Sequence, residues 1–217
     1  MKVALALLAG TAFLLGVSFV EAPYLDDQVL QHAPTVVALG ALTWTGLRGR
    51  IRCSAVLIAC VFLWLHILGA RYIYSVVPYD AWIEAVTGWS VDRAFGLQRN
   101  HYDRLVHFMF GLLCVLFIDD LFRDSITRRL RWMLAVMFVG SISALYEVFE
   151  WGLASTVSPE RALRYNGQQG DLWDAQKDMA LAMLGAVVAL PFAACLSRTS
   201  SRRARLDQSA GASRQTA

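Results

Sequence analysis

Three separated stretches carry side chains with the types and spacing of a metal or acid–base centre. Asp103 and His107 stand four residues apart in Asn100-His-Tyr-Asp-Arg-Leu-Val-His107. Glu147 and Glu150 stand three apart in Tyr146-Glu-Val-Phe-Glu-Trp151, and Asp174 and Asp178 four apart in Gly170-Asp-Leu-Trp-Asp-Ala-Gln-Lys-Asp178. On a helix these spacings put both members of a pair on one face. Carboxylates gathered this closely repel when ionised, and in a membrane each is costly. Such a cluster requires a cation, bound protons or arginine partners. Helical di-metal proteins use the same device, with carboxylates and histidines projecting inward from facing helices. Oxygen-rich ligation with one imidazole suits Mg²⁺, Mn²⁺, Fe²⁺ or Zn²⁺.

As a divalent-metal site, the ligands expected are Asp103, His107, Glu147, Glu150, Asp174 and Asp178. The first four are also the candidates for catalysis, as ligands or as general base beside a metal-bound water. Arg71 and Arg104 are candidate clamps for an anionic substrate, and Asp171 stands with them at the substrate end. The competing reading is structural: the same acids pair with Arg71, Arg104 and Lys177, and Asp103 and Asp171 are wetted at the interface. His66 reads as a proton relay, a ligand or a helix-to-helix hydrogen bond. Tyr72, Tyr74, Trp82 and Trp89 read as interfacial aromatics, and Asp119, Asp120 and Asp124 carry no functional assignment. No nucleotide-binding loop, G-x-S-x-G elbow or H-E-x-x-H motif is present.

The elements that hold these groups are membrane helices. Of 217 residues 57% are hydrophobic and 17% charged, with a mean hydropathy of +0.46, and several apolar runs approach the roughly 20 residues that cross a bilayer. The spans expected are 3–20, 34–47, 53–77, 102–122, the stretch after Arg131 to about 154, and 175–196. Pro23 directly after a conceivable Val20-x-Ala22 cleavage site argues that the first run is retained as a helix. Residues 21–28 read as an acidic loop and 78–100 as an amphipathic segment in the interface. Residues 155–173 read as a polar loop with turns at Asn166-Gly167 and Gly170.

The fold expected is therefore all-α and polytopic: a six-helix membrane domain over 1–197 and a disordered, basic cytoplasmic tail over 198–217. The segments 48–52, 123–131 and 198–205 hold three, four and four arginines, against none, two and two in 21–28, 78–100 and 155–173. The positive-inside rule then puts both termini in the cytoplasm and every carboxylate pair at one depth on the outer side. A net charge of +3 gives little support for nucleic acid. The partners expected are membrane lipids and, as an option, a second copy of the chain. Cys53, Cys60, Cys114 and Cys195 form no C-x-x-C pair, so neither disulfides nor a thiolate zinc site is expected.

Four motifs in order carry a family resemblance: Gly69-Ala-Arg-Tyr-Ile-Tyr-Ser75, Asn100 to Phe108, Tyr146 to Trp151, and Gly167-Gln-Gln-Gly-Asp-Leu-Trp-Asp-Ala-Gln-Lys-Asp-Met179. From about Pro23 to Leu196 the chain resembles the YjdF-like bacterial inner-membrane proteins, a family defined by a domain of unknown function. The resemblance implies an inner-membrane location and supplies no activity. A weaker likeness is to VanZ-like membrane proteins, whose matching positions here are Asp103, His107, Glu147, Asp174, Asp178 and Gly185-Ala186. That family's link to glycopeptide resistance implies envelope lipids or sugars. Its arginine just before the final acidic motif is missing here, the nearest being Arg161 and Arg164. Three readings stay open. They are a metal-assisted enzyme on a lipid-linked or phosphate-bearing envelope substrate, a proton- or cation-coupled carrier, and a non-catalytic structural module.

Overall fold

The computed structural model describes the backbone of residues 1–215 and the side chains of residues 1–195, and the tail expected over 198–217 lies outside the residues described in full. Every regular element among the described residues is a helix: α1 (Lys2–Ser18), α2 (Leu25–Leu47), α3 (Cys53–Arg71), α4 (Tyr79–Thr87), α5 (Val91–Phe95), α6 (Tyr102–Leu121), α7 (Arg128–Ala154), α8 (Pro159–Asn166) and α9 (Asp174–Gln215). Cys53–Arg71, Arg128–Ala154 and Asp174–Cys195 are long and apolar enough to cross a membrane, and α1 is apolar but shorter. The chain is thus an all-α membrane protein.

Two expected boundaries shift. The second helix starts at Leu25 rather than Pro34, so most of the expected acidic loop is its first turns. Asp26 and Asp27 there suit the positive end of the helix, and Gln28 donates to the Ser18 carbonyl and hydroxyl, 2.9 Å each. Pro34 sits inside α2, where it frees one backbone carbonyl, a defect tolerated when neighbouring groups serve it. The third helix stops at Arg71 rather than Val77, because Ile73 (φ 46°) and Tyr74 (φ 56°) turn left-handed. A β-branched residue at positive φ is strained. The turn folds the Tyr74 ring back against Gly69, where a Cβ would lie 2.6 Å from ring carbon Cδ1. The segment 78–100, expected at the interface, holds the short helices α4 and α5, and the stretch 155–173 turns at Gly167, Gln169 and Gly170, all with positive φ, as the sequence led us to expect at Asn166-Gly167 and Gly170.

The helices form two half-bundles. Ala4, Leu8, Leu42, Val56, Cys60 and Leu63 join α1, α2 and α3. Val115, Ile118, Ala135, Val139, Ala182, Ala186 and Ala189 join α6, α7 and α9. Ala70, Tyr74, Val77, Tyr102 and Val106 tie α3 to α6. The α6–α9 seam is the tightest. A Cβ on Gly111 would stand 2.8 Å from the Ala182 carbonyl carbon and the Ala186 amide nitrogen, and one on Gly185 would stand 3.0 Å from the Phe108 carbonyl carbon and the Leu112 amide nitrogen. Small residues let membrane helices meet backbone to backbone in this way.

Asp119, Asp120 and Asp124 anchor one end of the bundle. Arg131 donates through Nε to Asp119 at 2.9 Å, with both side chains almost fully buried. The Trp132 indole donates to the same carboxylate at 3.1 Å. Ser54 donates to Asp120 at 2.6 Å, and Arg52 pairs with Asp124. At the other end α8 reaches α2: Arg161 and Arg164 donate through their Nε atoms to the two oxygens of buried Asp27, at 2.7 and 2.8 Å.

Candidate functional site

The Gly111–Gly185 seam positions the site. Continuing along α6 from Gly111 toward its N-terminus, one turn gives His107 and the next gives Asp103. From Ala182 on α9, one turn gives Asp178 and the next Asp174. Helices that meet backbone to backbone therefore bring these four side chains to one small volume. Glu147 and Glu150 approach it from α7, which packs on both helices.

At the centre, ligand atoms of Asp103, His107 and Asp178 all lie within 4.8 Å of one another. That is the spread expected of atoms around one ion at 2.0–2.6 Å from each. His107 Nε2 stands 3.7 Å from Asp103 Oδ1 and 3.8 Å from Glu147 Oε1. These gaps are too long for direct hydrogen bonds and suit a common third partner. Glu147 Oε1 and Asp178 Oδ1 are buried and accept no hydrogen bond. The side chain of Glu147 is 9% exposed and Asp178 is 3% exposed. A buried carboxylate oxygen without a donor is unfavourable by about 1–3 kcal/mol or more, so both oxygens call for a cation or a proton. Glu150 lies close enough to Asp103, Glu147 and Asp178 for their charges to act on it.

A second layer covers this centre. Asp174 receives Arg99 at 2.6 Å and Arg104 at 3.3 Å. Asp171 receives Arg104 and also Lys177 at 2.6 Å, with Arg99 at 3.5 Å. The Lys177 bond is the main reason the Asp171 carboxyl sits well below the usual carboxylate range, with the Trp173 amide and Arg104 adding to it. Burial, with the charges of Arg104 and Arg99, lowers the pKa of His101, just before α6. Two loops are stapled here. The Asn100 amide donates to Gln169 Oε1 at 2.8 Å, and Gln169 Nε2 donates back to the Asn100 carbonyl at 3.0 Å. Arg99 also donates to the Gln168 and Gly167 carbonyls, at 3.2 and 3.4 Å.

The geometry thus sorts the expected residues. Asp103, His107, Glu147 and Asp178 meet, with Glu150 beside them. Asp174, Asp171 and Arg104 meet as the ion-paired cover. Arg71 is elsewhere: it donates to the carbonyls of Ser18 and Val20, at 2.6 and 2.8 Å, closing the end of α1. Its guanidinium serves the backbone because Ser18 and Val20 end a helix whose last carbonyls lack partners.

Below the centre lies a cavity of about 460 Å³ between α2, α3, α6 and α7. Its polar lining is concentrated at the site end, in Asp103, His107, His66, Tyr74, Ser143 and Tyr146, and hydrocarbon side chains such as Leu113, Phe110 and Phe117 line the rest. Tyr74 is the residue whose role the spacing missed, while His66 makes the helix-to-helix hydrogen bond that was one of its expected readings. His66 Nε2 donates to the Gln31 carbonyl at 3.0 Å, which leaves Nδ1 to accept from the Tyr74 hydroxyl. The consecutive tyrosines around Ile73 read as belt aromatics, and only the left-handed turn reveals that Tyr74 points inward.

A family model described as "Predicted membrane protein (DUF2238)" matches residues 3–199. Inner membrane protein YjdF of Escherichia coli (strain K12) is 33% identical over 171 residues, covering 76% of this chain and 77% of the relative. No solved structure matches. With helices apolar enough to span, the chain is a multi-pass protein of the inner membrane.

Proposed function

The chain belongs to the DUF2238 family of membrane proteins, and from that premise we propose that it holds a divalent cation at an outward-facing site and acts there on a phosphate-bearing or lipid-linked envelope molecule. All six long helices cross the bilayer in this reading, with both termini in the cytoplasm. The exposed native thiols Cys53 and Cys195 then lie on the cytoplasmic side. An impermeant thiol reagent modifies them only after the membrane is opened, and labelling of intact cells would reverse the topology.

The observation that carries the site is the pair of buried, unpartnered oxygens, Glu147 Oε1 and Asp178 Oδ1, beside His107 and Asp103. Asp103, His107 and Asp178 are the ligands. A cation bound there would polarise a phosphate oxygen and acidify a bound water. Glu147, 3.8 Å from His107, is placed to take the proton of that water, and Glu150 stands behind it. Arg99, Arg104 and Lys177 together outnumber Asp171 and Asp174 by one charge, which keeps the cover positive toward an approaching anion.

Metal content of the purified, detergent-solubilised protein tests the reading, with Glu147→Gln and Asp178→Asn beside it. About one equivalent of divalent metal, lost in folded Asp178→Asn, supports it. The enzyme version further requires that Glu147→Gln and Asp178→Asn abolish turnover of a lipid-linked phosphate; normal turnover sinks it. The unpartnered oxygens also suit a second reading, an ion-coupled carrier in which they hold protons. It predicts no stoichiometric metal and cargo flux in liposomes without chemical change.

A further inference from the structure

We infer that the cavity beneath the acidic–histidine centre is the binding site for one hydrocarbon chain of an anionic lipid, entering sideways from the bilayer between α2 and α7. The inference rests on the proposed cation site, which would hold the lipid's phosphate, and it names the substrate class of that site.

The cavity's shape comes first. Its lining on α6 runs from Asp103 to Phe117, fourteen residues or about 21 Å at 1.5 Å per residue. About 460 Å³ spread over that length makes the cavity elongated, the form that an extended hydrocarbon chain fills. The volume itself falls in the range of about 300–1,000 Å³ typical of ligand pockets.

Its chemistry comes second. One end holds the polar groups Asp103, His107, His66, Tyr74, Ser143 and Tyr146, and hydrocarbon side chains dominate the remainder. A ligand matching both must carry its charge at one end and a long apolar tail behind it. A water-soluble phosphate would leave the apolar length unused, and a neutral hydrocarbon would leave the proposed cation without an anionic partner.

The route comes third. α2 packs on α1 and α3, and α7 packs on α6, α8 and α9; α2 and α7 both line the cavity but are not a packed pair among the described residues. At the rim, Pro34 and Ala41 on α2 and Ile142 on α7 are exposed on the outside as well as lining the inside. Above that gap the only bridge among the described residues from α8 to α2 by ion pairs is Asp27 with Arg161 and Arg164. The opening therefore faces lipid, and the arginine strap closes it toward water.

The test is photolabelling in lipid nanodiscs with a single-chain alkyl phosphate that carries a diazirine near the chain end, in the presence of Mg²⁺ or Mn²⁺. Crosslinks should concentrate at the deep lining residues Leu42, Leu113 and Phe117, and unlabelled alkyl phosphate should suppress them at least tenfold. Inorganic phosphate should not reach that depth of competition. Ala59→Trp, which fills the cavity from α3, should lower the deep crosslinks tenfold and keep bound metal. Crosslinks confined to the lipid-facing residues Met137, Phe138, Val187 and Phe192 would overturn the inference, using the unaltered protein and independent of any variant's folding. The two failures read differently. Metal bound without deep crosslinks removes the chain site alone. Deep crosslinks that persist unchanged after chelation and in Asp178→Asn uphold the chain site and remove the cation.

Discussion

Replacing Gly111 by alanine adds one methyl group at the tightest point of the bundle, and its effect follows from the backbone. The new Cβ would stand 2.8 Å from the Ala182 carbonyl carbon and the Ala186 amide nitrogen, with the Ala182 oxygen nearer still, whereas ordinary contact begins at 3.4 Å. The neighbours are helix backbone, so no rotamer change relieves the overlap. α6 and α9 must part by at least 0.6 Å, the difference between those two distances. Overpacking of this kind costs about 1–3 kcal/mol, which lowers the melting temperature by about 2–12 °C for a chain of this size. The same parting separates Asp103 and His107 from Asp178, one and two turns away. Metal–ligand distances tolerate about 0.2 Å, so metal affinity falls by at least an order of magnitude, comparable to losing a supporting residue. Gly152→Ala on α7 is the control, because its Cβ meets nothing within 4 Å; it should be neutral or stabilising by up to about 1 kcal/mol. Thermal unfolding in detergent and a metal titration of both variants decide the matter. If Gly111→Ala melts and binds metal like Gly152→Ala, the close approach of α6 and α9 does not exist, and the account of how the site is positioned fails with it.

Three further outcomes are expected. Asp119→Leu strands buried Arg131 and should destabilise the protein by about 3–5 kcal/mol, with most of that recovered in Asp119→Leu/Arg131→Met; an unimproved double variant in thermal unfolding would count against the anchor. Tyr74→Phe removes one hydrogen bond to His66 and should cost about 0.5–1.5 kcal/mol, and Gly69→Ala should cost more because its methyl displaces the whole Tyr74 ring; equal melting of the two would refute the fold-back. Asp171 is held below its ordinary pKa in the folded state, so its bonds to Lys177 and Arg104 contribute above the unfolded value of about 3.9 and are lost only as pH falls further. Proteolysis of the 155–173 loop should therefore stay constant from pH 8 to about 5, and a rise near pH 6 would contradict that assignment.

Much of the site was legible because depth in a membrane is written in charge. The arginine asymmetry placed Asp103, Glu147 and Asp178 at one level, and helical spacing gave each a shared face. What composed the neighbourhood was less visible. Arg99 meets Asp174 across 75 residues of chain, and no local pattern joins them. Gly111 reads as an ordinary membrane glycine, and Gly185 enters only through the VanZ-like Gly-Ala pair, until the seam shows what lies against them. Tyr74 lies in an aromatic stretch that suits an interface equally well, and two positive φ angles decide otherwise. Arg71 has the chemistry of an anion clamp, but the bare end of α1 claims it. The start of α2 was hidden by Asp26, Asp27 and Gln28, which look like a loop unless the partners of buried Asp27 and Gln28, namely Arg161, Arg164 and Ser18, are known. A cavity, being the absence of side chains, leaves no motif.

The two half-bundles joined along α3 and α6 give the molecule a spine on one side and a free fore-edge at α2 and α7. An occupant that pushes that edge apart enlarges the area the protein takes up in one leaflet. Work against the lateral tension of the bilayer then enters its binding free energy. Stretching the membrane should favour the occupied form, so the affinity of the site is tied to the mechanical state of the envelope around it.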